Sequence, residues 1–262
     1  MNTTSTKKWH VALACAALIA VSGCAATDTP EKRAMVEETN DPLEPMNRYL
    51  FELNKFMDEV AFKPMAWWYR TALPDPAQDS VANFMANLRM PWTAINDLGQ
   101  GEMNRAYTAV ARFAINTTIG VLGLFDPATG MGFEKHEEDA GQTFGVWLKT
   151  PKDTYPEGLY LMIPVFGPSN IRDAVGGLVD GLLDPVNIAA RGGIRGESSL
   201  PMARSVVSGV DSRSRNLETI DQLQKSSVDF YATVRSVYRQ RRDNEIRNGE
   251  PGGSYPALNV YQ

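Results

Sequence analysis

Apolar residues along this 262-residue chain recur at helical spacing, but only in short blocks that glycine or proline cuts off. Tyr49, Leu50, Leu53, Phe56, Met57 and Val60 make one such face, and Met103, Ala106, Tyr107, Val110, Phe113, Ala114 and Thr117 make the clearest one. That period specifies amphipathic helices. The strict alternation of a half-buried strand is weak throughout. Past residue 23 no apolar run approaches the ~20 residues that cross a bilayer as one helix. The chain is thereby constrained to an all-α fold, a single helical domain of short amphipathic helices joined by Gly/Pro-rich corners.

The corners set the expected element ends. Asp41-Pro42-Leu43-Glu44-Pro45 opens the first helix, and residues 64–73 follow with Pro64 as a first helical position. Asp79 reads as the cap of a helix carrying Val81, Phe84, Met85 and Leu88 that stops before Pro91. Another begins near Trp92 and ends at Gly99 or Gly101. Residues 119–133 hold four glycines and a proline among large apolar residues. Between Leu159 and Phe166 the chain is nearly all apolar, but Pro164 argues against a central strand. Ser169 is placed to cap a helix with Gly176, Gly177 and Gly181 inside it. Each interior glycine costs about 1 kcal/mol relative to alanine, so three imply close packing, bending or a contact that needs bare backbone. Residues 211–247 read as one long helix with Leu217, Ile220, Leu223, Tyr231, Val234 and Tyr238 on a face and the basic Arg239, Arg241 and Arg242 at its end. Trp67, Trp68 and Tyr69 are adjacent and cannot all face one core stripe. Together with Trp92 and Trp147 they suit either a helical core or a lipid headgroup interface.

The N-terminus is a separate matter. Lys7 and Lys8 precede an uncharged run from Val11 to Val21, and Val21-Ser22-Gly23-Cys24 ends it. A basic start, a short apolar run and a small-residue exit make a secretory signal peptide. The exit resembles the bacterial lipobox, in which the cysteine is acylated and becomes the first mature residue. Residues 1–23 are thus expected to be cleaved. Residues 24–40 become an acylated Cys24 with a flexible tether, 41–247 the folded domain and 248–262 a disordered tail. Ala25 follows Cys24; an aspartate there would retain an enteric-type lipoprotein in the inner membrane, so alanine permits the outer one.

Removing the signal takes away Cys15, His10 and two lysines. The mature chain is then more acidic than the −5 of the whole sequence and keeps one cysteine and one histidine, His136. An acidic chain lacks the basic face that nucleic acid requires. One acylated cysteine allows no internal disulfide and no zinc site of the Cys/His kind. A Ser-His-Asp triad would have to use His136, within Glu134-Lys135-His136-Glu137-Glu138-Asp139, which reads as a solvated loop. No Gly-x-Ser-x-Gly elbow, P-loop or Gly-x-Gly-x-x-Gly occurs. Neither a metal nor a cofactor is indicated, and the chain reads as a non-enzyme.

Several blocks in order carry a resemblance. They are Asp41-Pro42-Leu43-Glu44-x-x-Asn47-Arg48, Asn116-Thr117-Thr118-Ile119-Gly120, Gly123-Leu124-Phe125-Asp126 and Gly141-Gln142-Thr143-Phe144-Gly145-x-Trp147. Pro156-x-Gly158-x-Tyr160-Leu161, Pro164-x-x-Gly167-Pro168-Ser169-x-x-Arg172-Asp173 and Asp184-Pro185 complete them. From about residue 41 to 240, lipobox included, the chain resembles the MlaA (VacJ) family of outer-membrane lipoproteins. The resemblance implies a ring-like helical protein in the periplasmic leaflet of the outer membrane, with a polar channel that passes phospholipids toward the periplasm. It also implies a trimeric porin partner, a soluble periplasmic phospholipid carrier and, beyond that, an inner-membrane MCE-type ABC complex. The candidates for the channel are Gly120, Gly123, Phe125, Asp126, Gly141, Gly145, Pro164, Gly167, Arg172, Asp173, Gly176 and Gly177. Arg172 could meet a phosphate with Asp173 holding it, or the two could form a structural ion pair. Two other readings stay open: a periplasmic hydrolase using carboxylates such as Asp126 or Glu134, and a structural scaffold for outer-membrane protein assembly.

Overall fold

A computed structural model of the protein describes residues 40–149, 158–192 and 199–249. The signal peptide, Cys24, the tether up to residue 39, Pro156 and nearly all of the tail lie outside the described residues. The chain is predominantly helical and divides into two compact units.

The first unit comprises residues up to Asn54 and residues 158–171. Helix α1 (Glu44–Met57) starts here and packs on a two-stranded antiparallel hairpin, β1 (Tyr160–Ile163) and β2 (Gly167–Asn170). Tyr160 pairs with Asn170 and Ile163 with Gly167. The sequence reading of this stretch is corrected in two respects. The weak strand pattern does give a strand, though not a central one: it is half of a two-stranded hairpin and ends at Ile163, so that Pro164 falls in the turn and costs the ladder nothing. Ser169 lies inside β2 and its hydroxyl donates to the Asn170 carbonyl, so it caps no helix. Two asparagines hold helix and hairpin together. Buried Asn47 donates to Asp41 Oδ1 at 2.8 Å and to the Tyr160 carbonyl at 3.2 Å, and accepts from Met162 N at 2.9 Å. Two turns on, Asn54 donates to the Ile163 carbonyl at 2.9 Å and accepts from Val165 N at 2.7 Å. This second clamp holds Val165 in the left-handed region, with φ of 71°.

The second unit holds residues 55–157 and 172 onward. A π-helical turn (Asp58–Phe62) leads into α2 (Lys63–Ala72). Helix α3 (Asp75–Gln100) is continuous through Pro91, which corrects the expected break there and places Asp79 inside the helix instead of at its cap. A proline removes one backbone hydrogen bond, and packing offsets that loss. Met90 and Ala94, on either side of Pro91, bury against Ala109 of α4 (Met103–Thr118), with Phe113 alongside. Gly101, at φ of 85°, ends α3 as expected. A short turn of helix, α5 (Pro127–Gly130), then α6 (Ala140–Trp147), α7 (Ile171–Leu183) and α8 (Pro185–Arg191) follow.

The C-terminal region is three helices, not one: α9 (Leu200–Arg215), α10 (Leu217–Ser226) and α11 (Phe230–Ile246). Asp229 accounts for the last break, because its carboxylate accepts from Ala232 N at 3.1 Å and so caps a new helix. Ion pairs tie these helices to the start of the unit. Arg213 grips Asp58 through two bonds of 2.7 and 2.8 Å, and Lys63 meets Asp221 at 2.8 Å.

Candidate functional site

Helix α4 is inside out. Its buried residues are Ala106, Ala109, Arg112 and Asn116, while Met103, Tyr107 and Val110 are exposed. Ala109 is 0% exposed and its neighbour Val110 57%. A helix in water places its larger apolar residues inward. Here the fully buried apolar residues are small, with Phe113 half-buried beside them, and an arginine and an asparagine accompany them. The same inversion runs through the turn after α4, where Ile119, Val121, Leu122 and Phe125 are exposed, and along α7, where Val175, Leu178 and Leu182 are. Trp67, Trp68 and Trp147 are exposed too, whereas Trp92 is buried and donates to Asp180 at 2.7 Å. Large single apolar residues on a surface are normal, but contiguous ones mark contact with a membrane or partner.

The interior is correspondingly polar. Asp126 caps α5 and gathers four hydrogen bonds: Arg112 at 2.7 Å, Asn116 at 2.9 Å, and the hydroxyl and N–H of Thr129 at 2.7 and 3.3 Å. Burial pushes its carboxyl up, but the bonds from Thr129, Asn116 and Arg112 outweigh that and hold it below the ordinary carboxylate range. The charged run 134–139 is a loop solvated only at its start, where Glu134 and Lys135 are exposed. His136 bonds the fully buried Asp97 at 2.9 Å, Glu138 is buried and accepts from Arg105 at 2.7 Å and Gln100 at 2.8 Å, and Asp139 caps α6. Burial holds the Glu138 carboxyl above its usual range despite those partners.

A third polar node joins α6, α7 and α11. Arg242 donates to Asp139 at 2.9 and 3.0 Å and to Asp173 at 2.8 and 2.9 Å. Burial raises the Asp139 carboxyl, yet Arg242 overrides it and brings the group to about 2. Tyr238 donates its hydroxyl to Asp173, and Arg172 reaches the same carboxylate at 2.9 Å. The basic end of the last helix is therefore an internal lock. The Arg172–Asp173 pair belongs to it, as a structural ion pair. Glycines let these helices touch: a Cβ on Gly176 would lie 2.4 Å from Gly141 N, and one on Gly145 2.9 Å from Ile246 Cδ1.

The sequence-derived candidates thus separate into three places. Gly120, Gly123, Phe125 and Asp126 share the turn between α4 and α5. A Cβ on Gly120 would meet the Phe125 carbonyl at 2.4 Å. Gly141, Gly145, Arg172, Asp173 and Gly176 meet at the Arg242 lock, with Gly177 beside them facing open space. Pro164, in the hairpin turn, and Gly167, the first residue of β2, belong to the other unit. None of them lines the large cavity of the second unit. That cavity, of about 790 Å³, is bounded by Asp79, Asn83 and Arg89 of α3, Lys135 and Glu137, and Arg204, Ser208, Asp211, Ser212 and Arg215 of α9, with Arg241 of α11. Arg204, Ser208, Asp211 and Arg215 recur at helical spacing. That signal was present in the sequence, but a polar stripe ordinarily faces solvent. Beside the cavity a far smaller space, room for about one water, touches Lys135, Arg112, Asn116 and Asp126.

A helical protein with apolar residues outside, paired charges inside and an open polar cavity is of the kind that works at a lipid surface. Comparison with known proteins gives the class its family: the MlaA lipoprotein family matches residues 39–245, and the chain belongs to it. The chain is 30% identical over 211 residues to an uncharacterized protein of Rickettsia bellii, covering 80% of this chain and 78% of that one. It is 29% identical over 229 residues to the intermembrane phospholipid transport system lipoprotein MlaA of Escherichia coli, covering 87% and 85%. The Haemophilus influenzae protein of the same name is 27% identical over 235 residues, 88% of each chain. A solved structure described as the structural basis for maintenance of bacterial outer membrane lipid asymmetry superposes with a TM-score of 0.67 at 30% identity, covering 79% of this chain and 98% of that one.

Proposed function

We propose that this chain is an outer-membrane lipoprotein that takes phospholipids from the outer leaflet and passes them toward the periplasm, maintaining lipid asymmetry. Cys24 carries the acyl anchor and Ala25 permits residence on the periplasmic leaflet of the outer membrane. The observation that supports this most is the inversion of α4, with Arg112 and Asn116 inside and Tyr107 and Val110 outside. Apolar side chains facing lipid tails lose nothing, and a polar interior solvates a headgroup that tails cannot. Moving a two-tailed lipid through water exposes acyl chains at about 0.8 kcal/mol per CH₂, so a shielded polar path is the physical requirement. Among the described residues no helix is long and apolar enough to cross a membrane, which suits residence in one leaflet. A trimeric porin holds the protein in place, a soluble periplasmic carrier receives the lipid, and an inner-membrane MCE-type ABC complex takes it onward.

Hydrolysis is disfavoured at Asp126, whose oxygens already accept from Arg112, Asn116 and Thr129 and have no lone pair free for a base or nucleophile. The test is a deletion strain probed with an impermeant phospholipase. Outer-leaflet phospholipid should rise and return to normal on complementation. An unchanged outer leaflet, or lowered porin levels with asymmetry intact, would remove this reading; the second result would favour a scaffold.

A further inference from the structure

The wall of the large cavity carries five cationic side chains: Arg89, Lys135, Arg204, Arg215 and Arg241. Four are already held. Arg89 bonds Glu137 at 2.7 Å, Arg204 bonds Asp184 at 2.8 Å, Arg215 lies 3.0 Å from both Asp79 and Asp211, and Arg241 bonds Glu245 at 2.6 Å. Lys135 is different. No carboxylate among the described residues holds it, it is exposed, and it borders both the large cavity and the small space over Asp126. Asp126, the carboxylate that lines the small space with Lys135, is committed to Arg112. The unspent positive charge of this polar wall is therefore concentrated at one ammonium.

We propose that Lys135 is the residue on which the phosphodiester of a phospholipid headgroup docks inside the cavity. A lysine suits a transit site. Its ammonium is a compact charge on a flexible stem and binds phosphate without the fixed fork of arginine, so the contact forms and releases as the lipid moves. The cavity wall supplies the remaining solvation from Asn83, Ser208 and Ser212. A cavity of about 790 Å³ lies within the range of small-molecule sites and admits a headgroup with its glycerol. This inference rests on the lipid-conduit reading and adds its contact residue.

The test uses the full-length protein with a photoreactive residue in place of Ser208, irradiated in cells whose phospholipids carry ³²P. Wild type should give a lipid adduct. Lys135→Gln should lower it about fivefold, equivalent to about 1 kcal/mol at about 1.4 kcal/mol per tenfold, and Lys135→Arg should restore most of it. Equal adducts from wild type and Lys135→Gln would overturn the role of Lys135 while leaving the conduit standing. No adduct from wild type would overturn both. The purified protein in phosphatidylglycerol-containing micelles distinguishes lipid from free phosphate. Adduct formation that survives excess inorganic phosphate supports the headgroup site, and its abolition by inorganic phosphate overturns it.

Discussion

Gly176 and Gly177 are neighbours in α7 with opposite constraints. A Cβ at Gly176 would stand 2.4 Å from Gly141 N, a backbone atom that has nowhere to go, whereas one at Gly177 meets nothing within 4 Å. Gly176→Ala should therefore destabilise the protein by about 2–3 kcal/mol through overpacking. Gly177→Ala should stabilise it by about 0.5–1 kcal/mol, because alanine is the better helix residue. Thermal unfolding of the two variants reads the contrast directly. Asp126 is a second such position. With Asn in its place, nearly buried Arg112 keeps its charge and loses its counterion, at a cost of about 3 kcal/mol. Replacing both, as Arg112→Met with Asp126→Asn, should recover much of that loss in a urea titration. Gly120, Asp126 and Asn47 stand in the ordered sequence blocks, but the sequence offered Gly120 and Asp126 as channel candidates and did not reveal the close approach and hydrogen bonds that hold them. Lys135 was not singled out there, because the pairing of the other four cations of the cavity wall is invisible before the fold is known.

At the scale of elements, the helices that propensity and punctuation define were legible and those that tertiary contacts decide were not. The end of α3 at Gly101 followed from the residue alone. Its passage through Pro91 did not, since packing of Met90 and Ala94 against Ala109 offsets the lost hydrogen bond. The hairpin was obscured by Pro164, and the three-way division of the C-terminal region by a continuous apolar period. What joins α11 to α6 and α7 is charge, and this gives a pH dependence with a defined sign. Asp139 and Asp173 titrate below their ordinary range because, against the upward push of burial, Arg242 stabilises the carboxylates. A carboxyl depressed by folding contributes stability that is present above its unfolded value and is lost as pH falls through its folded one. Asp139 therefore contributes fully above about pH 4 and loses its contribution between 3.8 and about 2. The Tm of Asp139→Asn should lie below that of wild type at pH 7, and the gap should narrow as pH falls through that window. A gap that stays constant with pH would mean the lock is not ionic.

For the whole molecule, the mean composition conceals what matters. With 43% apolar and 22% charged residues the chain looks like any globular protein. What distinguishes it is placement, with large apolar side chains outward along α4, the 119–125 turn and α7 and paired charges inward, and periodicity reports a face without saying which way it points. The stripe of 102–118 does lie on a helix, but its large residues Met103, Tyr107 and Val110 face outward while Ala106 and Phe113 pack inward. The proposed function gives the chain two attachments to the membrane, an acyl chain on Cys24 and the exposed apolar residues of α4, the 119–125 turn and α7. Their contributions are separable. If the exposed face were ornamental, Cys24→Ala would remove the one attachment and release the protein completely. The expected result is instead that a Cys24→Ala protein directed to the periplasm remains partly in the membrane fraction. Adding Val110→Asp and Leu178→Asp should then free it, since each charge placed among lipid tails costs about 2–3 kcal/mol and both sites are already exposed. Neither aspartate should lower stability in detergent-free buffer, because neither replaces a buried side chain. Complete release by Cys24→Ala alone, or retention of the triple variant, would show that the outward apolar face serves a protein partner and not the leaflet.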